Sequence, residues 1–350
     1  MAGEEYVTLV VGGRVWTARE RITVGYSSKD AARSFAFTAT DASLSWGDMW
    51  EFKPGEKVSV YVGGGLLLTG YIDKMSPSYD ATNHKVEVSG RSKSKDSIDS
   101  SHDHKTGEFR DKTLLEIAKE LDEQDVGFAT DQQLQKMPLF RVHPGETVFS
   151  AVERAARSQG MLLQGQPDGS ILITKGSGKR VHPPLIEGIN ILSASANFDE
   201  SGKNSKITVK GQRAFGGPDA KSMQITATAT NTKVKRNRPK TILAEHDMSQ
   251  DDAKKRAKWH KERQDAESIT ASVTCQGWRD SNGSVWQVNT LVHILSPMLK
   301  LDMDMLLDSV SLSQDESGSK AALSFTSPKS LGGSSGGSGS GPYDVSADDE

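Results

Sequence analysis

Gly70-Tyr-Ile-Asp-Lys-Met-Ser-Pro-Ser-Tyr-Asp80, continuing through Ala81-Thr-Asn-His-Lys-Val-Glu-Val-Ser-Gly-Arg-Ser92, is the stretch on which the fold turns, because the chain returns to its pattern near the other end. Laid without gaps over Met305 to Ser327, it aligns Asp73 with Asp308, Ser76 with Ser311, Ser78 with Ser313, Asp80 with Asp315, Lys85 with Lys320, Ser89 with Ser324 and Ser92 with Ser327. The apolar positions Ile72, Met75 and Val88 fall on Leu307, Val310 and Leu323. Both segments read as strand, polar turn, strand. Serine-rich segments also match by accident, so the alignment alone leaves a true repeat and a coincidence both standing. A true repeat implies two similar modules in one polypeptide, and three such chains would make a ring of six, a shape suited to a six-fold partner.

Outward from the first copy, Val7 to Val11 runs into Gly12-Gly13, Phe35, Phe37 and Ala39 alternate with small polar residues, and Val58, Val60 and Val62 alternate before Gly63-Gly64-Gly65. Period-two alternation buries one face of a sheet, and glycine clusters supply the positive φ angles that tight hairpins need. Residues 1–98 are therefore expected to form a small antiparallel β-barrel. After a polar stretch from Lys93 to Lys105, Leu114, Leu115, Ile117, Ala118 and Leu121 recur at helical spacing, with Asp111 as the expected N-cap. Thr147 opens a second helix through Val148, Val152, Ala155 and Ala156, stopped by Gly160, and Pro167-Asp168-Gly169 is a hairpin turn. Residues 99–180 are read as a compact α+β domain.

Strand patterns return at Ile189 to Ala196, Lys206 to Gly211, Ile225 to Thr230, Ile269 to Gln276, Val285 to Leu295, Leu306 to Leu312 and Ala321 to Thr326. Residues 181–330 are expected to form a second barrel. It carries an inserted charged helix at about 249–265, opened by a capping box of Ser249 with Asp252. That helix has almost no apolar stripe, so it is either solvent-exposed or seated on another subunit. Residues 331–350 are expected to form a flexible Gly/Ser tail with an acidic end. The fold class is mainly β with α+β: two similar small antiparallel barrels flanking the middle domain.

Composition narrows the function. One cysteine, Cys275, precludes an internal disulfide or a thiolate zinc cluster within the chain. No apolar run approaches the ~20 residues that cross a bilayer, and Met1-Ala-Gly-Glu-Glu lacks the features of a signal peptide, so a soluble protein without membrane insertion is expected. The 43 Lys and Arg nearly balance 46 Asp and Glu, which argues against a dedicated nucleic-acid binder. The acids Asp344, Asp348, Asp349 and Glu350 lie in the tail, which holds no bases, so the body carries 43 bases against 42 acids, a formal charge of +1, and the net −3 comes from the tail. A hydrophobic fraction of 35% fits thin β layers or burial completed between subunits.

Candidate chemistry is sparse. His102-Asp103-His104 offers two metal ligands, but in a polar loop with no third partner nearby. Glu116, Glu120 and Glu123 lie along a helix face, where a solvated surface competes with a hydrolase acid pair. Cys275 sits among apolar strand neighbours and reads as a buried, inert thiol. Lys233 to Lys240 and the helix bearing Lys254, Lys255, Arg256, Lys258, Lys261 and Arg263 could track phosphates, but Asp251, Asp252, Glu262, Asp265 and Glu267 interleave the latter. No catalytic, cofactor-binding or metal-binding residue is assigned, and no cofactor is expected. Arg141-Val-His-Pro-Gly-Glu-Thr-Val-Phe149, with Ala151, Val152 and Ala155, resembles the opening of a LysM module, a peptidoglycan-binding unit; a packing role is the expectation, since a Gly-Glu-Thr turn is a reusable helix cap.

Taken in order, the segments resemble the baseplate hub proteins of contractile-tailed phages, the Mu-type tail hub and late control protein D group, related to the hub part of VgrG spike proteins. The residues carrying the resemblance are Phe52-Lys-Pro-Gly-Glu-Lys-Val58, Leu68-Thr-Gly-Tyr-Ile-Asp73 and Val88-Ser-Gly-Arg-Ser92 with Asp96, Ile98 and Asp99. They continue through the Pro144-Gly-Glu-Thr147 helix opening, Pro167-Asp-Gly169, Gly188-Ile-Asn-Ile-Leu192 and Val209-Lys-Gly-Gln212. The resemblance implies a non-enzymatic homotrimer whose two barrels per chain form a pseudo-six-fold ring between a hexameric tail tube, or its distal adaptor, and a trimeric central spike. It also implies contacts with other baseplate proteins, passage of DNA without specific binding, assembly in the host cytoplasm and a final place in the virion. The competing expectations are a tail-associated peptidoglycan-binding or peptidoglycan-degrading protein and a type VI secretion spike hub. The acidic tail is not part of the family pattern.

Overall fold

In the computed structural model, residues 6–17, 21–40, 52–82, 84–212, 224–244 and 250–328 are described. The first segment supplies β1 (Val7–Val11), β2 (Arg14–Thr17), β3 (Arg21–Ser27), β4 (Ser34–Thr40), β5 (Lys57–Val62), β6 (Gly65–Tyr79) and β7 (His84–Ser92). The middle segment holds α1 (Lys95–Asp99), β8 (Glu108–Thr113), α2 (Leu114–Leu121), β9 (Phe128–Thr130), β10 (Lys136–Arg141), α3 (Val148–Ser158), β11 (Leu162–Gly165) and β12 (Ile171–Thr174). The last contains β13 (Leu185–Ile186), β14 (Ser193–Phe198), β15 (Lys206–Gln212), β16 (Gln224–Thr230), β17 (Pro239–Leu243), α4 (Gln250–Glu267), β18 (Ile269–Gln276), β19 (Leu291–Ser296), β20 (Leu301–Asp315) and β21 (Gly318–Thr326).

The repeat is real at the level of backbone pairing. In the first copy the strands lie in the order β3-β4-β7-β6-β5, and in the second β14-β18-β21-β20-β19. Ile72 faces Gly90 and Lys74 faces Ser89, leaving Asp73 as an extra residue. Leu307 faces Phe325 and Ser309 faces Ser324, leaving Asp308 in the same place. The flanking registers also transpose: Lys57 opposite Tyr71 corresponds to Leu291 opposite Leu306, and Phe37 opposite Val88 corresponds to Val273 opposite Leu323. Packing is complementary rather than copied. Phe35 lies opposite Gly90 in the first copy, whereas Ala271 lies opposite Phe325 in the second, so one aromatic ring fills each site from opposite strands.

The two copies are not separate barrels. Thirteen strands form one sheet, ordered β14-β18-β21-β20-β3-β4-β7-β6-β5-β1-β2, with β19 and β13 branching from β20, and no pairing among the described residues closes it. The expectation of two closed barrels is corrected by the length of β20. At 15 residues it outruns its hairpin partner, bends at the Asp308 bulge, and pairs with β19 before the bend and with β3 after it. A bulge bends a strand and raises its twist, which lets one strand serve two neighbours. One hydrophobic core accordingly runs from Val7 through Ile72 and Val88 to Leu312 and Phe325.

The middle segment has its own core, built from Ile117, Leu121, Val148, Val152, Ile171 and Ile173 among others. Its first long helix is capped by Thr113, not Asp111: the Thr113 hydroxyl accepts from Glu116 N–H while the Glu116 carboxylate accepts from Thr113 N–H. Asp111 lies two residues upstream in β8 with φ 52°. Thr147 caps α3 as expected, and the Pro167-Asp-Gly169 turn joins β11 to β12. Strands β15 and β16 do not join the large sheet; with β17 they form a separate three-stranded sheet. Helix α4 sits on that sheet through Ala253 and Ala257, against Val209, Ile225 and Ala227. Its seat is thus within the chain. The Ser249 cap and the acidic tail lie outside the described residues.

Candidate functional site

One face of the large sheet is apolar and closed; the other is polar, and its character recurs in both copies. Thr23, Thr38, Ser76 and Ser89 in the first occupy the places of Ser195, Thr274, Ser311 and Ser324 in the second. Alternation puts these short hydroxyl side chains on the face opposite Val24, Phe37, Val88, Leu312 and Leu323, which are buried. Charges at the first copy are compensated. Lys85 Nζ lies 3.0 Å from Glu87, and Arg91 lies 2.5 Å from Asp73 and 3.5 Å from Asp99. Burial first, then the neighbouring Asp73 and Asp99 carboxylates, push Asp96 above its ordinary value. The polar face of the first copy therefore sets short hydroxyl side chains beside paired charges.

The second feature is the junction between copies, where β3 pairs with β20 over Ile22 to Ser27 and Ser309 to Gln314. Ser28 N–H donates to the Asp308 carbonyl at 2.7 Å. The Ser28 hydroxyl and Lys29 ammonium hold the Asp308 carboxylate at 2.6 and 2.9 Å. Beneath it, the Tyr26 hydroxyl donates to the Trp286 carbonyl at 2.6 Å, and burial drives the phenol's pKa far upward. Arg33 stacks on the Tyr26 ring and donates to the carbonyls of Gly165 and Leu67, tying the middle segment to the same point. Burial lowers the Arg33 pKa, against the pull of Tyr26 and Asp168. Junction and middle segment are thus locked by buried hydrogen bonds.

The isolated candidates do not assemble into a reactive centre. His102 Nε2 lies against the His143 carbonyl, whereas His104 Nδ1 accepts from Gly107 N–H and its ring packs on Phe109. Glu116 is occupied by the α2 cap, Glu120 by Lys112, and Glu123 accepts from Asp103 N–H. Cys275 is buried, and burial pushes its thiol from 9.0 to about 11. Arg238 donates to the carbonyls of Glu200 and Ser201, so part of the basic 233–240 stretch fastens the small sheet. The basic helix faces carry their own acids, with Arg263 on Glu267 and Lys258 beside Glu262.

Sequence reasoning missed a buried pair. His182 Nδ1 lies 2.7 Å from Asp280, and His182 Nε2 accepts from Gln287 N–H, which places the proton facing Asp280 on Nδ1. The Asp280 carboxylate also accepts from Asn282 and Ser284 N–H. With both side chains closed to solvent this is a brace for the Trp286 loop. Its only sequence signal was the Asp280-Ser-Asn-Gly283 turn.

Comparison with known proteins agrees with this geometry. Residues 6–92 match the model of the Mu phage baseplate assembly protein GpP-like N-terminal domain, residues 94–175 the baseplate hub protein gp44-like second domain, and residues 249–332 the Mu phage baseplate assembly protein GpP fourth domain. The baseplate hub protein gp44 of Escherichia phage Mu is 29% identical over 333 residues, covering 91% of this chain and 87% of that protein. The crystal structure of the 43 kDa tail protein of prophage MuSo2 from Shewanella oneidensis superimposes with a TM-score of 0.85 at 28% identity, over 93% of this chain and 99% of that one. The tail protein of Neisseria meningitidis MC58 shares the fold, with a TM-score of 0.80 at 20% identity over 94% and 99%. With hub-domain matches in series along a duplicated sheet, the chain belongs to the Mu-type family of phage baseplate hub proteins.

Proposed function

We propose that three copies of this hub protein form a ring of six related sheet units that joins a hexameric tail tube to a trimeric central spike. The observation that carries the proposal is the duplication: one chain holds two units with the same strand order, register and bulge. Three chains then present six similar surfaces to a six-fold partner while keeping three-fold symmetry toward a spike. In this arrangement the hydroxyl-rich face lines the channel through which DNA passes. A conduit that guides a polyanion without holding it needs few unpaired cations, since each phosphate contact adds affinity. The role is structural rather than enzymatic, assembly takes place in the host cytoplasm, and the other partners are baseplate proteins.

Working domain boundaries are 1–98, 99–180, 181–330 and 331–350, of which 99–180 is supported by the separate middle core. The LysM-like stretch acts as scaffold, because α3 spends Val148, Ala151, Val152, Ala155 and Ala156 on that middle core. Electron microscopy of the assembled baseplate, with light scattering on the purified protein, tests the ring. A three-fold hub with six similar units is expected, and a hub of another symmetry would overturn the proposal. Negligible duplex binding at physiological salt is expected of the channel, and submicromolar binding would refute it. Lysis in a zymogram would refute the structural role.

A further inference from the structure

The junction inside the chain has two unused counterparts. Strand β6 is the twin of β20, yet where β20 pairs with β3 beyond its bulge, Lys74–Tyr79 of β6 pair with β7 on one side and, among the described residues, with no strand on the other. Strand β14 is the twin of β3, yet it ends the sheet, and among the described residues no strand pairs with its outer edge. Burial records the difference. Val310 and Leu312 are 2% and 0% exposed, whereas their twins Met75 and Pro77 are half-buried and exposed. Tyr26 is 7% exposed, and its twin Phe198 is 47% exposed.

We propose that β6 of one copy pairs antiparallel with β14 of the next, repeating between chains the β3–β20 junction found within each chain. Transposing that register puts Lys74 opposite Asp199, Met75 opposite Phe198, Ser76 opposite Asn197 and Tyr79 opposite Ala194. The resulting pairs are complementary: an ammonium faces a carboxylate, and a thioether faces an aromatic ring. Because Ser28 donates to the Asp308 carbonyl, strand alternation turns the backbone of Val310 and Leu312 toward β3, and that of Met75 and Pro77 toward the open edge. Pro77 thus removes one donor from that edge. A proline there guards the unassembled chain against indiscriminate strand addition, while Met75 and Tyr79 keep their N–H groups for the specific partner. The contact is head-to-tail, so it needs a closing rotation, and the proposal rests on the three-copy ring for it.

Cysteine trapping tests the register. Ser76 and Asn197 fall at a non-hydrogen-bonded pair, where Cα atoms lie about 4.5 Å apart, within disulfide range. Under mild oxidation S76C/N197C is expected to run as a covalent trimer on a non-reducing gel, and the two-residue-shifted S78C/N197C and both single variants as monomers. Phe198→Asp, at a partly solvent-facing position, is expected to keep the wild-type circular dichroism and to raise the concentration at which the trimer dissociates by about ten-fold or more. Equal or absent cross-linking, or an undisturbed F198D trimer, in protein that light scattering shows to be trimeric overturns the strand pairing and leaves the ring. Absence of a trimer even in assembled tails overturns both.

Discussion

The exchanged aromatic pair offers a direct test of whether the two sheet units are packed as equivalents. Phe35 covers Gly90 so closely that a Cβ on Gly90 would lie 2.7 Å and 2.9 Å from the ring carbons Cε1 and Cζ. In the second unit the ring belongs to Phe325, and Ala271 takes the opposite place. Phe325→Gly removes a ring that is almost fully buried, and loses about 3–5 kcal/mol or more. Ala271→Phe adds a ring where Phe325 already fills the space, and overpacking there loses about 1–3 kcal/mol. Acting independently, the two would remove at least about 4 kcal/mol, a large part of the 5–15 kcal/mol of a typical domain. Combined, they recreate the Phe35 and Gly90 arrangement, so the A271F/F325G chain is expected to recover at least about 2 kcal/mol of that sum, a coupling of the size found between contacting residues. Urea titration at fixed protein concentration reads this as a shift in midpoint at constant slope. A double variant no more stable than the sum of the singles would refute equivalent packing.

Tyr26→Phe strips the donor from the buried Trp286 carbonyl, and should lower stability by about 1–3 kcal/mol in the same titration. Cys275 carries a thiol whose folded-state value is raised to about 11 from 9.0, so the folded chain keeps a proton that the unfolded chain gives up. Stability from this source is complete below pH 9.0 and is lost as pH rises toward about 11; Cys275→Ala should flatten that part of the stability profile, and an unchanged profile counts against a buried thiol. Pro77→Leu installs the residue type of its twin Leu312, and with it the missing N–H. The trimer should then resist dilution better by about 1 kcal/mol, measured as a lower dissociation midpoint by light scattering.

Hairpins were legible because alternation is local: Val86 and Val88, or Leu323 and Phe325, mark a buried face within five residues. The joining of the two units was not, since β3 and β20 meet across nearly the whole chain and their alternation names no partner. One inserted residue, Asp73 or Asp308, shifts the period in mid-strand, so a straight reading of Gly65 to Tyr79 loses the face beyond Ile72. Ile207 and Val209 likewise announced a strand without saying to which sheet it belongs. The seat of α4 escaped notice because Ala253 and Ala257, one turn apart, are too small to read as a stripe, yet they let the helix lie close on its sheet. Thr113 was missed as a cap although Glu116, three residues on, completes the capping box. The middle core and α3 were legible from Val148, Val152, Ala155 and Ala156 alone.

Duplication without identity is what the proposed role demands. A six-fold tube requires six similar faces, and the shared strand order, bulge and hydroxyl-rich surface supply two per chain. A three-fold spike requires the same two units to differ elsewhere. The link between β3 and β4 spans only Ser28 to Arg33, whereas the corresponding link between β14 and β18 holds β15, β16, β17 and α4. The middle core is likewise inserted once, between the units, and Arg33 pins it through Gly165 beside the junction. Equivalence is thus confined to the sheet, and asymmetry to what hangs from it. The open edges follow the same division: the intrachain junction is sealed by Leu312 and Tyr26, while its twins keep Pro77 and a half-exposed Phe198, residues suited to an edge that stays unpaired until another copy arrives.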